Sequence, residues 1–215
     1  MIEVVLWRHG QTDYNLAGRV QGQVDVPLND TGAQQARQAA AAVAALGPTR
    51  IVSSPLGRAW ATAQVLAQEV GLPVETEARV AERSFGQWEG LTRKQIKAGW
   101  PDLYRRWREG RDVPEVGVEA RDQVARRVGA AVAELVVPGR ADMTDGGAAD
   151  GDVVVVVSHG SATRLGVCHL LGLDPTTWFG LRGMANGHYA RLQTQKHEPG
   201  WALQGWDLFP QVHQA

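Results

Sequence analysis

The run Val153 to Val157, set within DVVVVVSHG (152–160), constrains this chain more than any other feature. A continuous stretch of β-branched residues has no polar face at either the helix or the strand period, and it is too short for a buried helix. It reads as a central strand buried on both faces, the kind found in parallel sheets covered by helices. A second apolar run, IEVVLW (2–7), reads as a strand too, and it leads into Arg8-His9-Gly10, as the valine run leads into Ser158-His159-Gly160. The first polar side chains after such strands stand at their carboxyl ends, where open α/β sheets bind ligands.

The segments around these two runs alternate between strand and helix patterns. TGAQQARQAAAAVAAL (31–46) predicts a helix opened by Thr31 and closed by Gly47-Pro48, and RIVSS (50–54) a short buried strand. PLGRAWATAQVLAQEVG (55–71) predicts a helix with Pro55 in its first turn and Gly71 at its end, followed by a third strand in PVETEARV. Residues 92–137 carry helical patterns, and RADMTDGGAADGD (140–152) has the composition of a flexible surface loop. HYARLQTQ and WALQGWDLF alternate like an antiparallel pair at a sheet edge. The expected fold is therefore α/β, with three α/β/α layers, a mostly parallel central sheet and an antiparallel edge strand. A chain of 215 residues fits a single domain, 1–215.

With 22 basic and 23 acidic residues the net charge is −1, so no global field favours nucleic acid or an anionic membrane, and any anion site must be local. Cys168 is the single cysteine, which excludes an intrachain disulfide and a cysteine metal cluster. No stretch approaches the roughly 18 apolar residues of a membrane span, and Met1 leads directly into a strand. A soluble, cytoplasmic protein is expected.

Each histidine alone is a weak signal, but both follow buried strands and precede a glycine that lets the backbone approach a ligand. SSPLGRAWATA adds Arg58 in the first turn of a helix, where free N–H groups already favour an anion. Beside Arg8, its guanidinium completes a phosphate-shaped pair of forks. In VAERSFGQWEG (80–90), Glu82 can reach the same edge, with Glu89 further along and structural.

RHGQTDYN, QGQVDVPLNDTGAQQA, IVSSPLGRAWATA, ERSFGQWEGLT and VVVVVSHG, in this order, resemble the histidine phosphatase superfamily in its phosphoglycerate-mutase-like branch, over nearly the whole chain. The resemblance implies His9 as nucleophile, with Arg8, Arg58 and His159 as the phosphate clamp. It further implies Glu82 as proton donor, and Asn15 and Gln21 as polar residues lining the entrance. It implies hydrolysis of a small-molecule phosphate ester through a phosphohistidine, with no cofactor and no metal. A helical insert at about 92–110, with Trp100, Tyr104 and Trp107, would cover the site. GLTRKQI, VARRV with AELV, and GMAN (183–186) resemble a dimeric phosphatase subgroup acting on a glycosylated phosphoglycerate. A broad-specificity phosphatase and a cofactor-dependent phosphoglycerate mutase remain the alternatives.

Overall fold

The computed structural model describes residues 1–137 and 149–210. In chain order the described elements are β1 (Glu3–Arg8), α1 (Asp13–Leu16), α2 (Asp30–Ala44), β2 (Arg50–Ser53), α3 (Gly57–Val70) and β3 (Val74–Thr76). They continue with α4 (Arg93–Gly99), α5 (Pro101–Arg108), α6 (Arg121–Leu135), β4 (Val153–Ser158), α7 (Gly160–Leu170), β5 (Tyr189–Thr194) and β6 (Trp201–Leu208). The sheet runs in the order β3-β2-β4-β1-β5-β6. Its first four strands are parallel, and β5 is antiparallel to both β1 and β6. The C-terminal hairpin forms one end of the sheet as expected, with β5 one place in and β6 at the edge.

All residues of the valine strand β4 are buried, because alternate side chains enter opposite layers. Val4 and Leu6 of β1, with Val154 and Val156 of β4, pack among Val124, Val128 and Val132 of α6 and Leu165 of α7. Val5, Trp7, Val155 and Val157 pack on the other face among Ala39, Ala40 and Val43 of α2 and Ala59, Ala63 and Leu66 of α3. Each fully buried valine contributes roughly 1.5–3 kcal/mol relative to exposure, so this strand anchors both layers. A third apolar cluster lies in the segment after β3, where Trp88, Ile96, Val113 and Val116 are buried with Trp100, Tyr104 and Trp107 around them. All three aromatics singled out in the insert thus contribute to packing.

Several element ends differ from the sequence expectation. The helix expected to open at Thr31 opens earlier, because Asn29 is its cap and accepts the Gly32 N–H at 2.9 Å. Pro55 precedes α3 rather than starting it; the Asp25 carboxylate accepts the Gly57 N–H at 2.8 Å and fixes the helix start there. Gly71 ends α3 in the left-handed conformation, as expected. The third strand stops at Thr76, because the Glu77 side chain accepts the Arg79 N–H and turns the chain into a short 3-10 segment, Ala78–Val80. Most of the expected 140–152 loop falls outside the described residues.

Candidate active site

In the register of β1 and β4, Arg8 stands beside Ser158, so the next residues of the two strands are His9 and His159. Two histidines 150 positions apart are thereby delivered side by side, with ring centroids 5.1 Å apart in an edge-on arrangement. Gly10 permits the turn after β1: a Cβ there would lie 2.2 Å from the Gly32 carbonyl oxygen of α2. At Gly160, after β4, a Cβ would only come into ordinary contact with the Arg8 guanidinium, at 3.4 Å.

The tautomer of His9 follows from its neighbours. Its Nδ1 lies 2.7 Å from the Gly10 carbonyl, which only accepts, so Nδ1 carries the hydrogen. Its Nε2 receives a hydrogen bond from Arg58 Nε at 3.2 Å, and a guanidinium only donates, so Nε2 presents its lone pair. His9 is 2 % exposed, and burial holds its pKa well below the usual 6.5, reinforced by the charges of Arg8 and Arg58 against the opposing Gly10 bond. The ring is a neutral imidazole.

Arg58 is fully buried at the start of α3. It donates to the carbonyls of Gly22 at 2.7 Å and Val24 at 2.8 Å as well as to His9, leaving two of its five N–H donors without a partner among the described residues. Burial lowers its pKa, with Glu82 and Asp25 opposing. Arg8 donates through one terminal nitrogen to the Met184 carbonyl, and its buried Nε has no partner among the described residues.

His9, Arg8, Arg58, Asn15, Gln21 and Glu82 all line one cavity of about 670 Å³. His159 is placed behind them rather than on the wall. Fully buried, it holds Ser54 Oγ at 2.8 Å from its Nε2, while its Nδ1 has no hydrogen-bond partner among the described residues. Its pKa is lowered by burial and then by His9, Arg58 and Arg8.

Glu82 reaches the cavity from the loop after Val80 and sits at the amino end of α7. Its Oε1 accepts the N–H groups of Ala162 at 2.9 Å and Arg83 at 2.8 Å, and its Oε2 that of Ser161 at 3.2 Å. Glu89 is a brace instead, with Oε1 accepting the N–H groups of Phe85 and Gln23. Asn15 caps α1 with Thr12, and Gln21 Oε1 accepts from the Thr12 hydroxyl at 2.9 Å. From α4 and α5, Arg93, Lys94 and Trp107 add basic and aromatic groups to the far wall.

Two contributors escaped the sequence reading. Thr62 Oγ1 accepts the Gly10 N–H at 3.2 Å, and its hydroxyl donates to the Arg58 carbonyl. Asn186 Nδ2 spans the carbonyls of His9 and Gly10 and the Asn15 Oδ1, at 3.1 to 3.3 Å. The only signal for Asn186 was its place in the GMAN motif, and for Thr62 its place in IVSSPLGRAWATA.

A model of the histidine phosphatase superfamily (branch 1) matches residues 4–207, and the chain belongs to that superfamily. It is 39% identical over 217 residues to a glucosyl-3-phosphoglycerate phosphatase of Mycobacterium tuberculosis, covering 97% of this chain and 96% of the relative. It is 34% identical over 213 residues to a probable phosphoglycerate mutase GpmB of Salmonella paratyphi C, covering 96% and 90%. A solved mycobacterial glucosyl-3-phosphoglycerate phosphatase in complex with VO3 superposes with a TM-score of 0.84 at 38% identity, covering 95% of this chain and 98% of that one. Among the described residues no helix is long and apolar enough to cross a membrane, and no group of three or more His, Cys, Asp or Glu is arranged to hold a metal ion.

Proposed function

We propose that this phosphatase hydrolyses glucosyl-3-phosphoglycerate through a phosphohistidine on His9. The observation that carries the reading is the His9 tautomer: a neutral imidazole whose Nε2 lone pair stands in an arginine-lined cavity. Nε2 attacks phosphorus while the ester P–O bond breaks, and the developing charge is held by Arg8 and Arg58, with His159 packed edge-on against His9 behind them. Glu82 Oε2, with a single hydrogen bond, has room for the proton that passes to the departing alkoxide. In the second half the ionised Glu82 takes a proton from water, whose oxygen attacks phosphorus as the N–P bond breaks.

The substrate assignment is supported by the near full-length identity to glucosyl-3-phosphoglycerate phosphatases and by a cavity of about 670 Å³, roomy enough for a sugar beyond the phosphate. Asn15 and Gln21 contact the substrate near the entrance, and α4 and α5 serve as its cap. The subgroup resemblance also supports a homodimer, which sedimentation of the purified protein tests, and the single cysteine, Cys168, agrees with a reducing cytoplasm.

Phosphate release from glucosyl-3-phosphoglycerate, 3-phosphoglycerate and p-nitrophenyl phosphate tests the assignment. The expected result is the highest kcat/KM for the glucosylated ester. Similar values on all three would replace it by broad specificity, and interconversion of phosphoglycerates in the presence of a bisphosphate primer would make the chain a mutase.

A further inference from the structure

The loop that carries Glu82 belongs to no strand and is tied to the sheet by the side chain of Ser158 of β4, whose hydroxyl donates to the Val80 carbonyl at 2.7 Å. β3 ends at Thr76, and the carbonyl groups of Arg79, Ala81 and Glu82 point away from any sheet ladder. Buried or half-buried carbonyls require partners, and one side chain reaches all three, with Gln23 Nε2 a second donor to the Glu82 carbonyl at 3.1 Å. Arg127, on α6, donates from one terminal nitrogen to the carbonyls of Arg79 and Ala81, both at 2.7 Å, and from the other to that of Glu82 at 3.1 Å. Its remaining donors form a two-pronged pair with Glu119, at 2.7 and 2.9 Å. All five N–H donors of the guanidinium are thereby used.

Glu119 extends the grip to the other side of Glu82. Its Oε2 accepts the Ser84 N–H at 3.1 Å, and its backbone carbonyl accepts from Arg83 Nε at 2.6 Å. Burial raises the pKa of Glu119, but the bonds and charge of Arg127 outweigh it and keep the carboxyl below its ordinary range. Arg127 does not line the cavity. It touches the main chain of Glu82, while the carboxylate of Glu82 is held separately by the first turn of α7.

We propose that Arg127, with Glu119, is a positioning residue for proton transfer: it clamps segment 79–84 so that Glu82 meets the leaving-group oxygen. The proposal rests on the reading of Glu82 as proton donor given above. Only a planar fork with five donors spans three carbonyls and a carboxylate at once, so lysine cannot replace it although it keeps the charge. That separates positioning from electrostatics, because Arg127→Lys leaves the positive charge near His159 in place.

The test is single-turnover phosphoenzyme formation on glucosyl-3-phosphoglycerate and on p-nitrophenyl phosphate, for Arg127→Lys, Glu82→Gln and the double variant. General acid catalysis is worth roughly 10²–10⁴, and a displaced acid forfeits part of it. Arg127→Lys is expected to slow the alkyl ester roughly 10-fold or more and the nitrophenyl ester little, with the inhibition constant of inorganic phosphate unchanged. In the Glu82→Gln background the same change should add almost nothing. Glu119→Gln, which keeps the shape of the pair, gives the same pattern more weakly and serves if Arg127→Lys does not fold. Equal losses on both esters, no loss, or full additivity with Glu82→Gln would overturn the clamp. If Glu82→Gln itself shows the leaving-group preference and the Arg127 and Glu119 variants do not, only the clamp falls; if Glu82→Gln shows none, the proton-donor reading falls with it.

Discussion

Arg58 donates through its Nε to the Nε2 of His9 at 3.2 Å, so the cation beside the imidazole faces its lone pair rather than a hydrogen. With Nδ1 bound to the carbonyl of Gly10, the ring has one stable arrangement, and any electrophile must approach from the Nε2 side. The same arginine is braced by the carbonyls of Gly22 and Val24, which keep it in place when it exchanges the imidazole for a phosphoryl oxygen.

His9→Ala is expected to abolish turnover without unfolding the protein, since the imidazole contributes to the reaction barrier far more than to the apolar layers. Acid-quenched wild-type enzyme incubated with labelled substrate should carry phosphate on His9. Near-normal rates in the variant, or label elsewhere, would refute the phosphohistidine route.

Glu82→Gln should cost far more on an alkyl phosphate than on p-nitrophenyl phosphate, because an alkoxide needs a proton to leave and a nitrophenolate hardly does. The comparison is made on phosphoenzyme formation, since Glu82 also acts as base in the hydrolytic half. A difference approaching the roughly 10²–10⁴ of general acid catalysis is expected. Equal losses would reduce Glu82 to a structural carboxylate at the start of α7.

Activity should survive exhaustive treatment with EDTA, because the scheme draws its positive charge from Arg8 and Arg58. A loss on chelation that a divalent ion restores would point to a metal step.

The low pKa values of His9 and His159 link stability to pH. Below about 6.5 the unfolded chain protonates both rings while the folded protein keeps them neutral, so the unfolded state binds more protons. Stability should therefore fall as pH drops through that window, by about 1.4 kcal/mol per pH unit for each histidine, and these two groups should contribute no pH dependence well above it. Urea midpoints between pH 7.5 and 5 measure the slope. An unchanged slope in His9→Asn would contradict the assignment.

Gly10→Ala should damage fold and activity together. The added carbon would meet the Gly32 carbonyl at 2.2 Å, and backbone on both sides leaves no side chain to swing aside. Overpacking of this kind costs roughly 1–3 kcal/mol, and it displaces His9. A variant with wild-type denaturation midpoint and wild-type kcat would show that the contact is soft.

What the sequence determined by itself was local. An apolar run, its β-branching and the polar residue that ends it are properties of a few consecutive positions, and they were enough to place His9 and His159 at the carboxyl ends of two strands. Gly71 could likewise be read as a helix end from its own neighbourhood. Tertiary structure decided which distant groups share a bond. The β1–β4 register put the histidines side by side, with His159 behind the cavity wall. Glu77, capping its own turn, ended β3 early and left the Glu82 loop to be held by side chains, Ser158 from β4 and Arg127 from α6. Asn29 and Asp25 moved two helix starts away from where composition alone put them. A hydrogen-bond donor chooses its partner only after packing has brought remote segments within about 3 Å, and no periodicity along the chain records that choice.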